Sequence, residues 1–309
     1  MKGGSSVLST TSFRVQFDRL LLPDSATRQA ICFQPVLGNV VSAAGCSDGV
    51  FLYPSYDPVR RQITFRQDPS VPRPGAGTRF QLTLYTAIAD TDNGIRSFDG
   101  IPLAQPLQIQ FDIRADPGGN VPPYDLVPTA DHFCTAPDPA CTGFTCARSV
   151  SNMLSGCALG GCHYQSADAG AAEGMRLDTP SLIAMTAINQ TAHETQTGQS
   201  ALTTDPNGPR FGRSMAILAP EIPGESYLLY KLLAHPGVPL QNPFPPDPTS
   251  AAALPPEVVR LQNELVVGMP MPPSTQALAV PRAGTNGNPG EMEWLSDWVL
   301  EGAPLMTCP

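Results

Sequence analysis

Lysine is nearly missing from this chain: of 309 residues only Lys2 and Lys231 are lysine, and 16 are arginine. Charged side chains total 15%, against roughly 25% in an average soluble domain. The net charge of −9 excludes the basic footprint of a nucleic-acid binder. No apolar run approaches the roughly 18–20 residues a bilayer-spanning helix needs, so no transmembrane helix is expected within this chain. Histidine occurs four times, at His132, His163, His193 and His235. No His-Glu-x-x-His and no phosphate-cradling Gly loop ending in Lys-Ser/Thr is present, which removes those two catalytic classes. The start, Met1-Lys-Gly-Gly-Ser-Ser-Val-Leu-Ser, has no apolar core and is not a signal peptide.

What is abundant is proline (35) and glycine (27), with eight cysteines. Hydrophobic residues reach 41%, enough for packed cores. Glutamate is confined to one side: residues 1–120 carry 11 basic groups and 10 Asp, whereas residues 121–309 carry 7 basic groups, 8 Asp and 9 Glu. This asymmetry, with the Pro/Gly/Asp stretch Asp116 to Pro128, predicts a domain boundary near residue 120.

The first half alternates apolar and polar residues at the strand period in Phe13–Asp18, Gln62–Arg66, Arg79–Tyr85 and Leu107–Ile113. Turn chemistry separates the runs: Tyr56-Asp57-Pro58, Pro74-Gly75 and Asp92-Asn93-Gly94. About seven short strands predict an antiparallel β-sandwich over residues 11–115. The segments Phe17-Asp18-Arg19, Tyr56-Asp57-Pro58 and Ile88-Ala89-Asp90-Thr91-Asp92-Asn93-Gly94 make this stretch resemble bacterial Ig-like domains, which implies a spacer or docking module. Asp90–Gly94 also has part of a calcium-loop pattern, but the closing Glu is missing and a hairpin turn is the expectation.

The second half carries helix signals. Thr145–Leu154 places Val150 and Leu154 on one face. Ser226 to His235 follows Pro223-Gly224-Glu225, with Ser226 near the cap. Glu291–Leu300 puts Trp294, Leu295 and Trp298 on one stripe, and Gly302 supplies a stop. Between them lie Pro-rich stretches, notably Pro236 to Pro256.

The chemistry concentrates in Gly156-Cys157-Ala158-Leu159-Gly160-Gly161-Cys162-His163. Two thiols followed directly by His is the arrangement that attaches a c-type haem, with the His reaching the iron. The spacing here is four residues where two is usual, and a disulfide across the Gly-rich loop is the competing structural reading. A zinc site lacks a second close Cys or His pair. Val267-Gly268-Met269-Pro270-Met271-Pro272-Pro273 presents thioether sulfur on stiff extended chain, as a sixth haem ligand requires.

With Gly174-Met175-Arg176-Leu177, Pro223–Leu228, Met271-Pro272-Pro273 and Trp298–Ala303, these segments make residues 141–309 resemble a class I cytochrome c domain of the planctomycete type. The resemblance implies a mainly α, loop-rich fold, one covalent haem c held by Cys157 and Cys162, and iron ligated by His163 and Met271. Met269 is the rival distal ligand, and His193 or His235 would give bis-His ligation instead, though both are expected at the surface or as caps. Residues 116–140 form the linker, with His132 expected to be exposed in it.

With Cys157 and Cys162 taken by haem, Cys32 and Cys46 fall in the β domain and are expected to bridge each other, while Cys134, Cys141, Cys146 and Cys308 flank the haem domain and would form two disulfides of open connectivity. An oxidising compartment, periplasm or cell surface, is the expectation, with an export or lipoprotein signal in a longer form. The function implied is one-electron transfer to a partner with a basic surface, rather than substrate turnover. A haem-free, disulfide-stapled envelope binding or adhesion protein is the alternative. A haem enzyme with an open sixth position is a third reading.

Overall fold

The computed structural model describes residues 6–8, 13–37, 40–41, 52–67, 75–87, 94–97, 101–114, 174–192, 215–235 and 291–305. It also describes the isolated positions 150, 154, 157–158, 163, 261, 266 and 271. The chain divides into two compact units. The first takes Met1–Tyr56, Arg61–Leu126 and Asn207–Pro209; the second takes Asp57–Arg60, Val127–Pro206 and Arg210–Pro309. The expected boundary at residue 120, and the linker 116–140 with it, lie outside the described residues.

The strands, all of the first unit apart from Asp57 at the end of β5, are β1 Ser6–Leu8, β2 Phe13–Gln16, β3 Ile31–Leu37, β4 Val40–Val41, β5 Leu52–Asp57, β6 Gln62–Gln67, β7 Arg79–Leu84 and β8 Leu107–Arg114. They form a five-stranded sheet of order β1-β8-β7-β3-β4 and a three-stranded sheet of order β2-β6-β5. Period-2 alternation sends Phe33, Phe80, Leu82 and Phe111 of the larger sheet into one core with Val15, Ile63 and Phe65 of the smaller. Phe13 of β2 lies 5.2 Å from the Phe33 ring and 4.7 Å from that of Phe111, so aromatic contacts join the two inner faces. In the other set the register aligns Gln34, Gln81 and Gln110. The Gln110 Nε2 donates to Gln81 Oε1 at 2.8 Å, so the polar row bonds to itself. Cys32 in the same set is disulfide-bonded. Its sulfur therefore carries no proton, and the 3.3 Å approach of Gln34 Oε1 is a contact rather than a donated hydrogen bond.

The fold class expected from sequence needs correction. The second unit is not mainly α: among the described residues it holds three α-helices, α1 Pro180–Thr186, α2 Tyr227–Leu233 and α3 Glu291–Leu300. Extended bridges link Ile188 to Leu218, Thr191 to Ala216 and Ala216 to Ser226. Gly302 ends α3, and Pro223 and Gly224 stand in the turn that precedes α2, so the described helical runs are short and set apart by turns and extended chain. The five-stranded sheet is not purely antiparallel either, because β1 joins β8 in parallel.

Helix α2 is buried over its whole length, the outcome expected of a helix apolar on nearly every side. A Pro223–Glu225 turn leads into it. The hydroxyl of Ser226, at the cap position, serves the preceding loop instead, accepting from Ala219 N at 2.9 Å. Helix α3 ends in a Schellman arrangement. Gly302 at φ +94 donates to Val299 O at 3.0 Å, and Ala303 N donates to Trp298 O at 2.9 Å. Trp298 is fully buried, with its indole N–H on Pro304 O at 3.0 Å.

A buried charge cluster sits in the second unit. Arg60 makes a two-pronged contact with Asp297, at 2.7 and 2.8 Å. It also reaches Asp57 at 2.7 Å and Glu293 at 3.4 Å, and Ser296 donates to Asp57 at 2.8 Å. Burial opposes the charge of Arg60, but Asp57, Asp297 and Glu293 outweigh it and hold the guanidinium firmly protonated. Asp297 is pushed above the ordinary carboxylate value, first by burial and then by Asp57 and Glu301, against the attraction of Arg60. One cation shared among several carboxylates cannot offset the desolvation of each.

Two outcomes follow. Arg60→Ala strands buried carboxylates and should lower unfolding stability by about 3 kcal/mol in denaturant titration. Because the folded state holds the Asp297 proton more tightly than the unfolded chain, this part of the stability is full below the unfolded carboxylate pKa. It is lost as pH rises through the raised folded value. Asp297→Asn should therefore flatten stability against pH in the acid range. In the first unit, a Cβ at Gly94 would be driven into the backbone of Thr86 and Ala87; Gly94→Ala should cost about 1–3 kcal/mol, measured by thermal unfolding.

Candidate functional site

The cysteine–histidine motif begins on helical backbone. Val150 and Leu154, four positions apart, are both helical and buried, and Ala158 N donates to Leu154 O at 3.0 Å. This spacing places the two apolar side chains on one face, and Cys157 is likewise on helical backbone. Cys157 is half-buried and is a thiol, not part of a disulfide. The chain then turns back: His163 N donates to Cys157 O at 3.2 Å. Cys157 and His163 are thereby brought together by the backbone.

His163 is 6% exposed. Its Nδ1 lies 3.2 Å from the carbonyl oxygen of Met175. A carbonyl can only accept, so Nδ1 carries a proton and donates to it. Leu177 N donates to His163 O at 3.0 Å. The tripeptide Met175-Arg176-Leu177 thus straps His163 at its ring and at its backbone. Gly174, at φ +75, lets the chain enter this strap in a conformation that a side chain disfavours.

The strap is held from its other side by α1. The Thr186 hydroxyl accepts from Arg176 N at 2.9 Å. Its own proton points to Leu182 O at 2.8 Å, with Arg176 O at 3.2 Å. Helix α1 starts at a Thr179 cap, whose hydroxyl accepts from Leu182 N at 3.3 Å, with Pro180 in the first turn. Arg176 pairs with Asp178, Nη2 to Oδ2 at 3.0 Å.

Met271 is half-buried, and that is all the structure shows of it. Cys162 and Met269 lie outside the described residues, as do Cys46, Cys134, Cys141, Cys146, Cys308, His132, His193 and Asp90–Asn93 of the calcium-like turn. His235, expected at the surface or as a cap, is buried, 6% exposed, in the turn that follows α2. Among the described residues no group of three or more His, Cys, Asp or Glu side chains could hold a metal ion. No described helix is long and apolar enough to cross a membrane.

Residue-type reasoning misses three parts of this arrangement. The Met175 carbonyl is backbone and has no sequence signature. Thr186 looks like an ordinary helix residue. Helix α1 itself is announced by Thr179-Pro180, a cap followed by proline at the first position. A Gly-x-Ser-x-Gly pentapeptide, Gly45-Cys46-Ser47-Asp48-Gly49, is also passed over by that reasoning, and it lies outside the described residues. No family model, no curated protein and no solved structure matches the chain.

The strap can be tested without any ligand. Thr186→Val keeps the side-chain shape and removes the acceptor for Arg176 N. The Arg176 amide should then exchange with solvent at least several-fold faster, and stability should fall by about 1–3 kcal/mol, the cost of a stranded buried donor.

Proposed function

We propose that this chain is a c-type cytochrome-like electron carrier of the bacterial envelope. Cys157 and Cys162 would hold one haem covalently, and His163 and Met271 would ligate its iron. The observation that carries this reading is the state of His163. The residue after the Cys-x4-Cys pair is buried, and its Nδ1 is committed to a backbone carbonyl. Ligating histidines almost always make such a bond, because the outer hydrogen bond fixes the tautomer and the ring orientation and raises the basicity of the coordinating nitrogen. The residues present therefore fit the group on its proximal side. When bound, the haem would supply a one-electron ferric/ferrous couple.

The chain's own residues would do the rest. Two thiols would prevent loss of the group, the Met175 carbonyl would keep the His163 proton on Nδ1, and the Met271 sulfur would bind the iron and keep small substrates from it. Closure of that position favours electron relay over turnover. The disulfide at Cys32 supports an oxidising compartment, hence periplasm or cell surface. The net charge of −9, concentrated after residue 120, favours a redox partner with a basic surface and salt-dependent association. The β unit serves as spacer or dock in this reading. The alternative, a haem-free adhesion or binding protein, expects Cys157 in a bridge to Cys162, and the thiol state of Cys157 disfavours it.

The full chain, fused to an export signal and made in cells with haem-attachment machinery, should retain a chromophore through a denaturing gel and show a sharp reduced α band. Its absence removes the proposal. His163→Ala should abolish the low-spin spectrum. Met271→Ala should leave covalent haem in place but remove the Met–iron charge-transfer absorption and admit carbon monoxide. If Met269→Ala does so instead, Met269 is the distal ligand.

A further inference from the structure

In the five-stranded sheet, one side of β8 is paired only in part. β7 lies along it from Leu107 to Asp112, whereas β1, the one described strand on its other side, meets only Asp112, Ile113 and Arg114. The N–H of Ile113 donates to Thr78 O at 2.8 Å and its carbonyl accepts from Gly77 N at 2.7 Å, so both of its backbone groups face the β7 side. Backbone groups alternate in direction along a strand. Phe111, Ile109 and Leu107 therefore turn theirs to β7, while the N–H and C=O of Gln108 and Gln110 point to the open edge. Among the described residues nothing meets them there, and both glutamines are exposed.

This edge lacks the devices that keep natural edges apart. Those are charge, proline and bulges, and none stands between Leu107 and Phe111; residues 100–111 carry no charged side chain at all. In a chain of net charge −9, two copies can meet along this segment without like charges opposed across it. The core is also open here. Leu107 is 38% exposed, and Ile109, next on the same face, is only partly buried against the core.

The edge is complementary to itself. Antiparallel pairing about a two-fold axis at Ile109 sets Gln108 of either copy opposite Gln110 of the other. Both positions turn their backbone groups outward, so each pair exchanges two hydrogen bonds and every open group of the window is satisfied. Ile109 then meets Ile109, and Leu107 meets Phe111. The window closes at both ends, because Pro106 has no N–H and Asp112 is taken by β1. The bend at Ala104 and Gln105 takes the incoming chain off the strand line on its way toward β1 of the other copy.

We propose that β8 is a homodimerisation edge, through which two copies of this chain pair antiparallel over residues 107–111 and join their five-stranded sheets into one. The contact is small beside the roughly 800 Å² per partner of a standard stable complex, so association is weak and depends on concentration.

The test uses the full chain. Sedimentation over a wide concentration range should show monomer passing to dimer. Over the same range the amides of Gln108 and Gln110 should gain protection from hydrogen exchange, with those of Ile109 and Phe111 protected throughout. Gln108→Pro removes one edge donor per copy and leaves the β7 ladder intact. It should weaken association at least about tenfold, with thermal unfolding at low concentration unchanged. If Gln108→Pro fails to fold, Ile109→Cys decides: it places two thiols on the axis in a non-hydrogen-bonded pair, about 4.5 Å apart at Cα and within disulfide reach. Mild oxidation should cross-link it as a dimer beyond the level of the unmutated chain, and should not do so for Gln110→Cys. A chain that stays monomeric throughout overturns the proposal. So does a dimer whose Gln108 and Gln110 amides stay unprotected, or a folded Gln108→Pro chain that associates as before. Protection of those amides in a monomer, by its own chain or by an added peptide, overturns it too.

Discussion

Seven consecutive residues, Tyr227–Leu233, form a helix of which no face meets solvent, and that constraint organises the second unit. A short helix in this position must be enclosed by chain from every direction, and a polar group on it that lacks water gains from a partner inside. The Tyr230 hydroxyl does so by donating to Gly224 O at 2.9 Å, tying the helix back to its own lead-in turn. The lead-in is fixed in turn by the Ser226 hydroxyl on the Ala219 loop. Helix α3 packs against both, with Met292, Leu295, Trp298 and Val299 wholly buried. At roughly 1.5–3 kcal/mol for each large apolar side chain buried, this core is the main source of stability in the unit, because helices of seven residues have almost none of their own.

A core made from short pieces has many ends, and each end leaves backbone groups to satisfy. The structure answers with backbone and hydroxyl partners rather than charge. Val299 O accepts from Gly302 and also from Glu221 N at 2.7 Å. Thr186 closes the last turn of α1 while holding Arg176. This division of labour suits a chain with so few charged side chains. The densest charge among the described residues is where Arg60 is enclosed by Asp57, Glu293 and Asp297. Breaking such a cluster costs more than its formation gained, since the remaining carboxylates stay buried.

Legibility in the sequence followed the range of the interaction. Strand alternation in Phe13–Gln16, Arg79–Leu84 and Leu107–Arg114 is a local property, and those segments are strands. The same holds for Glu291–Leu300 with its Gly302 stop, and for Tyr227–Leu233 behind its Pro-Gly-Glu lead. Arg60 meeting Asp297 was not legible, because the partners stand 237 positions apart and each looks like a solvated surface charge. Helix content was overestimated because family likeness supplied a mainly α class that the proline and glycine spacing does not support. The parallel β1–β8 pair joins the two ends of the first unit's strands, and no local pattern announces it.

For the candidate site the residue types were legible and the means of holding them were not. Cys157 and His163 stand out by spacing alone, but His163 is oriented by a carbonyl, which every residue possesses. What orients it is the backbone path: Gly174 admits the turn, Met175 presents its oxygen, and Thr186 fixes the far side of the strap. None of these needs long regular structure, which reconciles a precise histidine with a unit poor in helix. The 108 positions between His163 and Met271 raise no thermodynamic objection, because closure entropy grows only with the logarithm of loop length, about 0.6 kcal/mol per doubling. The requirement is instead that both ends be anchored. On the histidine side the anchor is visible as two hydrogen bonds to one tripeptide. In the proposed electron carrier that rigidity would keep the ligand from reorienting between oxidation states, a motion that would add to the barrier for electron transfer.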